Sequence, residues 1–109
     1  MAFTEIEDEL QEMVSYRKNV TGVDNTVFIS PRGHHARHAA RVKVAIDPPD
    51  SLNPACRTAS ILLSGNVTAG EIEPSLLQQV RKFIERNRAV LIDYWDYQID
   101  TDELRRRLK

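Results

Sequence analysis

The stretch that most limits the fold is the apolar series Leu76, Leu77, Val80, Phe83 and Ile84, set at helical spacing just after Pro74. A stripe this wide cannot face water and must dock on a broad apolar surface. Pro74 suits the first helical position, because the N–H it lacks would have had no partner inside the helix. The preceding half of the chain offers the surface. Its apolar residues come in short runs of alternating character, which predict strands.

Arg41 to Ile46 alternates cleanly, with Val42, Val44 and Ile46 facing one way and Arg41, Lys43 and Ala45 the other. That pattern predicts a strand over 41–46 with one wet face. Thr58 to Leu63 predicts a second, with Ala59, Ile61 and Leu63 on one side. Thr26-Val27-Phe28-Ile29 predicts a third, between the turn residues Gly22, Asp24 and Asn25 and the break at Pro31 and Gly33. Val67 and Thr68 suggest a further short strand after the Ser64-Gly65-Asn66 turn, and 47–54 reads as a proline-rich loop.

At the N-terminus, Ile6, Leu10 and Met13 recur at helical spacing, and Thr4 with Glu7 forms a capping box. A helix over 4–16 is expected, with 1–18 as a loosely docked arm of a single domain spanning 1–109. Beyond Pro74, Asn87 reads as an N-cap that stops the first helix and starts a second, buried through Val90, Leu91, Tyr94 and Trp95. Asp100 with Glu103 opens a short last helix anchored by Leu104 and Leu108. The expected class is therefore α+β: an N-terminal helix, a small and mostly antiparallel sheet, and three C-terminal helices on one face.

The net charge of −1 over 109 residues argues against a general polyanion binder, yet the charges lie in blocks. Glu5, Glu7, Asp8, Glu9 and Glu12 crowd the start, and Arg105, Arg106, Arg107 and Lys109 crowd the end. Such blocks are solvated faces or partner surfaces. A lone cysteine, Cys56, fits a reducing compartment. No apolar run is long enough to span a bilayer and no secretory leader is visible, so a cytoplasmic location is expected.

The run Asn87-Arg88, Leu91, Asp93-Tyr94-Trp95, Ile99-Asp100-Thr101, Glu103-Leu104 and Leu108-Lys109 resembles the C-terminal signature of a family of short bacterial and phage proteins. That family is known as a domain of unknown function. The resemblance extends loosely back to about residue 27. It implies an α+β fold and a partner encoded nearby, in the manner of toxin–antitoxin pairs, and it implies no reaction. Many related sequences carry Pro-Pro-His-x-His at the start of a strand, where this chain has Gly33-His34-His35-Ala36-Arg37-His38.

Three groups of residues are candidates for function. His34, His35 and His38 are metal candidates: in a helix His34 and His38 would lie one turn apart, but two histidines leave a zinc site incomplete, and Asp47, Asp50 or Cys56 would have to complete it. Zinc is thus a possible cofactor, against the plainer reading of a polar loop. Arg32, Arg37, Arg41 and Lys43 are candidates for holding nucleic acid or another anion, with Arg41 and Lys43 ~7 Å apart on one strand face. No aromatic residue interleaves them for base stacking, and the plainer reading is a solvated face. Tyr97 falls off the apolar stripe of Tyr94 and Trp95 and is a candidate partner anchor. Glu71 and Glu73 flank a helix start and are explained by its dipole. The expected function is a non-enzymatic interaction module acting with another small protein. The alternative is a nucleic-acid-binding or metal-dependent nuclease-like protein using the 32–43 segment.

Overall fold

The structure is a computed structural model and describes residues 13–32 and 39–109. In chain order the elements are β1 (Val14–Tyr16), α1 (Lys18–Thr21), β2 (Val27–Ile29), β3 (Arg41–Asp47), β4 (Arg57–Leu62), β5 (Val67–Ala69), α2 (Pro74–Trp95) and α3 (Thr101–Arg107). The five strands form one sheet in the order β1-β2-β3-β4-β5, each antiparallel to its neighbour. The class is α+β: a five-stranded antiparallel sheet followed by a long helix and a short one.

Register explains the core. Tyr16, Val27, Val44 and Ala59 stand in one row across four strands, and Val14, Ile29, Val42 and Ile61 stand in another. Both rows lie on the same face, because side chains alternate along a strand. Against them pack Val80, Phe83, Ile84, Leu91 and Tyr94 of α2, all buried. The stripe that required a covering surface has found it. Gly70 closes the sheet edge: it has φ +79°, and a Cβ there would come within 2.6 Å of the Thr58 carbonyl oxygen. Only glycine lets the backbone pass β4 so closely.

Four expectations need correction. The expected helix over 4–16 lies mostly outside the described residues, but its last turn is strand: Val14, Ser15 and Tyr16 pair with Ile29, Phe28 and Val27. Val14 and Tyr16 sit two apart, so both reach the core from an extended backbone. A single turn of helix, α1, then ends at Gly22, whose φ of 76° is left-handed.

The second correction concerns Asn87. It does not cap a new helix; α2 runs unbroken for 22 residues, so there are two C-terminal helices and not three. Asparagine starts helices when its side-chain oxygen accepts from a backbone N–H two or three residues ahead. Here the amide of Asn87 is otherwise engaged. Nδ2 donates to the carbonyl oxygens of Phe83 (2.9 Å) and Lys109 (3.2 Å), while Oδ1 accepts from the Lys109 N–H (2.8 Å).

The third is the outer face of the sheet, which is not simply wet. Phe28 and Ala45 are wholly buried there, and Arg41 and Lys43 are half-buried. The last is minor: β3 extends to Asp47 through an irregularity after Ala45, and β2 and β4 shift by one residue at their ends. As expected, Pro74 occupies the helix start. Asp100 Oδ1 likewise accepts the Glu103 N–H at 2.9 Å to cap α3.

Candidate functional site

Helix α2 borders most of the hollows among the described residues. At ~1.5 Å per residue its length is about 33 Å, most of the 39 Å long axis of the molecule. Its two ends carry different chemistry.

The C-terminal end is tightly finished. The Gln98 N–H donates to the Asp93 carbonyl (2.8 Å) and the Tyr97 N–H to that of Tyr94 (3.2 Å). This is the paired closure that normally places a glycine at the left-handed position. Here the position holds Tyr97, at φ 61°. A non-glycine residue in that conformation costs roughly 1–2 kcal/mol. The bulk of the side chain is nevertheless turned outward, and Tyr97 is 57 % exposed. Ile92, on the last turns of the same helix, is also exposed. Beside them the Arg32 N–H donates to the Trp95 carbonyl at 3.0 Å, and the Arg32 guanidinium pairs with Asp96. Arg32 thereby braces the segment after β2 against the helix end.

The N-terminal end is open. Between it, the turn before β2 and the ends of β3 and β4 lies a hollow of about 500 Å³. Ile46, Ile72 and Leu76 provide its apolar part, and Asp24, Arg57, Glu71 and Glu73 its charged part. Asp24 is fixed by a reciprocal pair with Gln79: its N–H donates to Oε1 (2.9 Å), and Nε2 of Gln79 donates to its carboxylate (3.0 Å). Lys18 adds an ion pair at 2.8 Å. The hydrogen bond from Lys18, then that from Gln79, then the lysine charge hold the Asp24 carboxyl below its ordinary range. The same bond and charge raise Lys18. Glu73 precedes the helix without a side-chain cap bond.

The other predicted residues divide cleanly. Arg41 and Lys43 do share a strand face, and with Ser60, Leu62 and Thr68 they line a shallow hollow of about 380 Å³. They are half-buried, and both take part in interactions within the chain, so neither is a free cation on a solvated strand. His34, His35, His38 and Arg37 lie outside the described residues. Arg32 faces the end of α2 and is set apart from Arg41 and Lys43 by its bond to Asp96. Among the described residues no group of three or more His, Cys, Asp or Glu could hold a metal ion. Cys56 is half-buried, with Sγ 3.6 Å from the Arg57 carbonyl oxygen. No helix among the described residues is long and apolar enough to cross a membrane.

Sequence reasoning singled out Tyr97 as a candidate from its place off the apolar stripe, but did not foresee its backbone conformation, since only glycine and asparagine advertise a left-handed position. It missed the Asp24–Gln79 pair, whose members are 55 residues apart. Comparison with known proteins finds no matching family model, no matching curated protein and no matching solved structure.

Proposed function

We propose that this chain is a non-enzymatic protein-interaction module that acts with another small protein, with Tyr97 as the anchor of the contact. The observation that carries the reading is the pairing of cost and exposure at one residue. Tyr97 sits where glycine would be cheaper, and its side chain is more exposed than that of any other large hydrophobic residue described. Strained, outward-facing residues mark binding sites more often than packing sites. Tyrosine also suits the role, because its ring gives apolar area and its hydroxyl a hydrogen bond at little loss of side-chain freedom. Exposed Ile92 and the Arg32–Asp96 pair supply an apolar and polar surround. The partner would offer an apolar pocket for the ring with a hydrogen-bond acceptor at its floor.

The alternative, nucleic-acid binding or metal-dependent nuclease chemistry through His34, His35, His38, Arg41 and Lys43, has less support. Two half-buried cations reach a phosphate backbone poorly.

The test compares the tagged chain with its Tyr97→Gly variant in native lysate, with and without nuclease. Glycine accepts the left-handed conformation, so the variant keeps the fold and loses only the ring. A stoichiometric small protein should survive nuclease on the parent and bind the variant ~30-fold or more weakly, as for an anchor residue. Equal capture by both chains, or capture that vanishes with nuclease, defeats the proposal.

A further inference from the structure

Cations in this protein fall into two kinds. Most act as braces. Arg81 donates to the Gly65 carbonyl (3.0 Å), Arg88 to that of Leu63 (3.1 Å), and Arg107 pairs with Asp93 (3.1 Å) and Glu103 (3.4 Å). Others, namely Arg57, Lys82, Arg105, Arg106 and the Lys109 ammonium, make no hydrogen bond or ion pair among the described residues. Two of these are not scattered on the surface. Together with Arg86, whose guanidinium reaches the Thr21 carbonyl at 3.3 Å, Arg106 and Lys109 line one hollow of about 340 Å³ between α2 and the end of α3 with the two residues after it.

Among the described residues no acidic side chain lines this hollow; its other walls are Asn87, Ala89, Val90 and Leu108, with Arg107 at the side. Arg107 is paired with two carboxylates, which leaves Arg86, Arg106 and Lys109 as the cations with no carboxylate side-chain partner around one concave space. The main-chain oxygen of Lys109 is turned inward and held by buried Asn87. Basic residues in the last turn of a helix also answer its dipole, and that accounts for Arg105, Arg106 and Arg107 taken alone. It does not account for Arg86 on another helix, or for Lys109 beyond the helix end.

We propose that this hollow binds a phosphate group, held by Arg86, Arg106 and Lys109. Guanidinium groups match phosphate oxygens with paired hydrogen bonds, and an ammonium adds a mobile point charge. The volume falls within the range of small-ligand sites, and Val90 and Leu108 give the remainder of a phosphorylated molecule an apolar wall. The phosphate can come from a small molecule or from a nucleic-acid strand. This site is separate from the Tyr97 surface and does not rest on its role.

The experiment titrates the full chain with adenosine monophosphate, followed by backbone amide shifts, and repeats it with a 12-nucleotide single strand. Shifts should gather at residues 86–90 and 104–109, and binding should weaken as salt rises. The Arg106→Gln, Lys109→Gln double variant, which breaks no bond within the chain, should bind about ten-fold more weakly or worse. Arg105→Gln changes the same charge on the same helix but does not line the hollow, and should bind as the parent does. Comparable affinity for both probes would assign the phosphate to a small molecule. A much tighter strand, also lost in the double variant, would assign it to nucleic acid. No localised shifts with either probe, or equal loss in Arg105→Gln, would overturn the proposal.

Discussion

The two ends of α2 are finished in opposite ways. The C-terminal end is tied by directed bonds: the paired closure at Tyr97, Arg107 to Asp93, Arg32 to Asp96, and Asn87 to the main chain of Lys109. The N-terminal end has Pro74 and apolar contact, no side-chain cap, and half-buried Leu76 and Leu77 beside an open hollow. Both ends belong to one helix, so the difference is not one of helix propensity. It lies in what the rest of the chain brings to each end. A tied end can hold a side chain such as Tyr97 in a costly position, while an open end can take in a group without breaking bonds.

The comparison is broken most severely at Leu104, the wholly buried residue through which α3 holds the tied end. Leu104→Ala should cost ~2–5 kcal/mol in denaturant unfolding, whereas Leu76→Ala, already half-exposed at the open end, should cost well under half of that. Equal losses would mean that the two ends are held alike. Next comes Asn87→Ala, which strands the Lys109 N–H and removes the link between helix and chain end. A loss of ~1–3 kcal/mol is expected by the same measurement, with amide exchange rising first at residues 104–109.

Tyr97→Gly should move stability the other way. Relief of the left-handed conformation gives ~1–2 kcal/mol, partly offset by the greater freedom of glycine in the unfolded chain, so a net gain of up to about 1 kcal/mol is expected. A fall in melting temperature would show that the ring supports the tied end and is not carried by it.

The smallest effect concerns the open end and appears through pH. The carboxyl of Asp24 is lowered in the folded state by Lys18 and Gln79, so its contribution is present above the ordinary carboxylate value and fades as pH falls through the lowered one. Lys18 is raised, so its contribution is present below its ordinary value of 10.5 and fades as pH rises beyond it. Unfolding measured across pH should therefore show a small gap between the parent and Asp24→Asn that is constant near neutrality and closes in acid. Both groups are exposed, and salt should narrow the gap at every pH.

Local pattern determined much of this protein. Alternation gave Arg41–Ile46 and Thr58–Leu63 as strands, helical spacing gave the face of α2, and Asp100 with Glu103 marked the start of α3. Each of these signals lies within a few residues, where backbone geometry alone sets which side chains share a face. What the sequence by itself left undecided depends on residues far apart in the chain. Asn87 carries the mark of a helix start, but in the fold its amide bonds Phe83 behind it and Lys109 far along the chain, and α2 runs through. Val14 to Tyr16 fall at the end of the helix expected over 4–16, and only pairing with β2 makes them a strand. Arg41 and Lys43 have the look of a solvated face, and only burial of the neighbouring Phe28 and Ala45 reveals a partly covered one. Arg86 belongs to a different stretch from Arg106 and Lys109, and packing alone brings the three round one hollow. Periodicity reports the direction of a side chain from its own backbone; the identity of what it meets is fixed by tertiary contact, whose energy no local window contains.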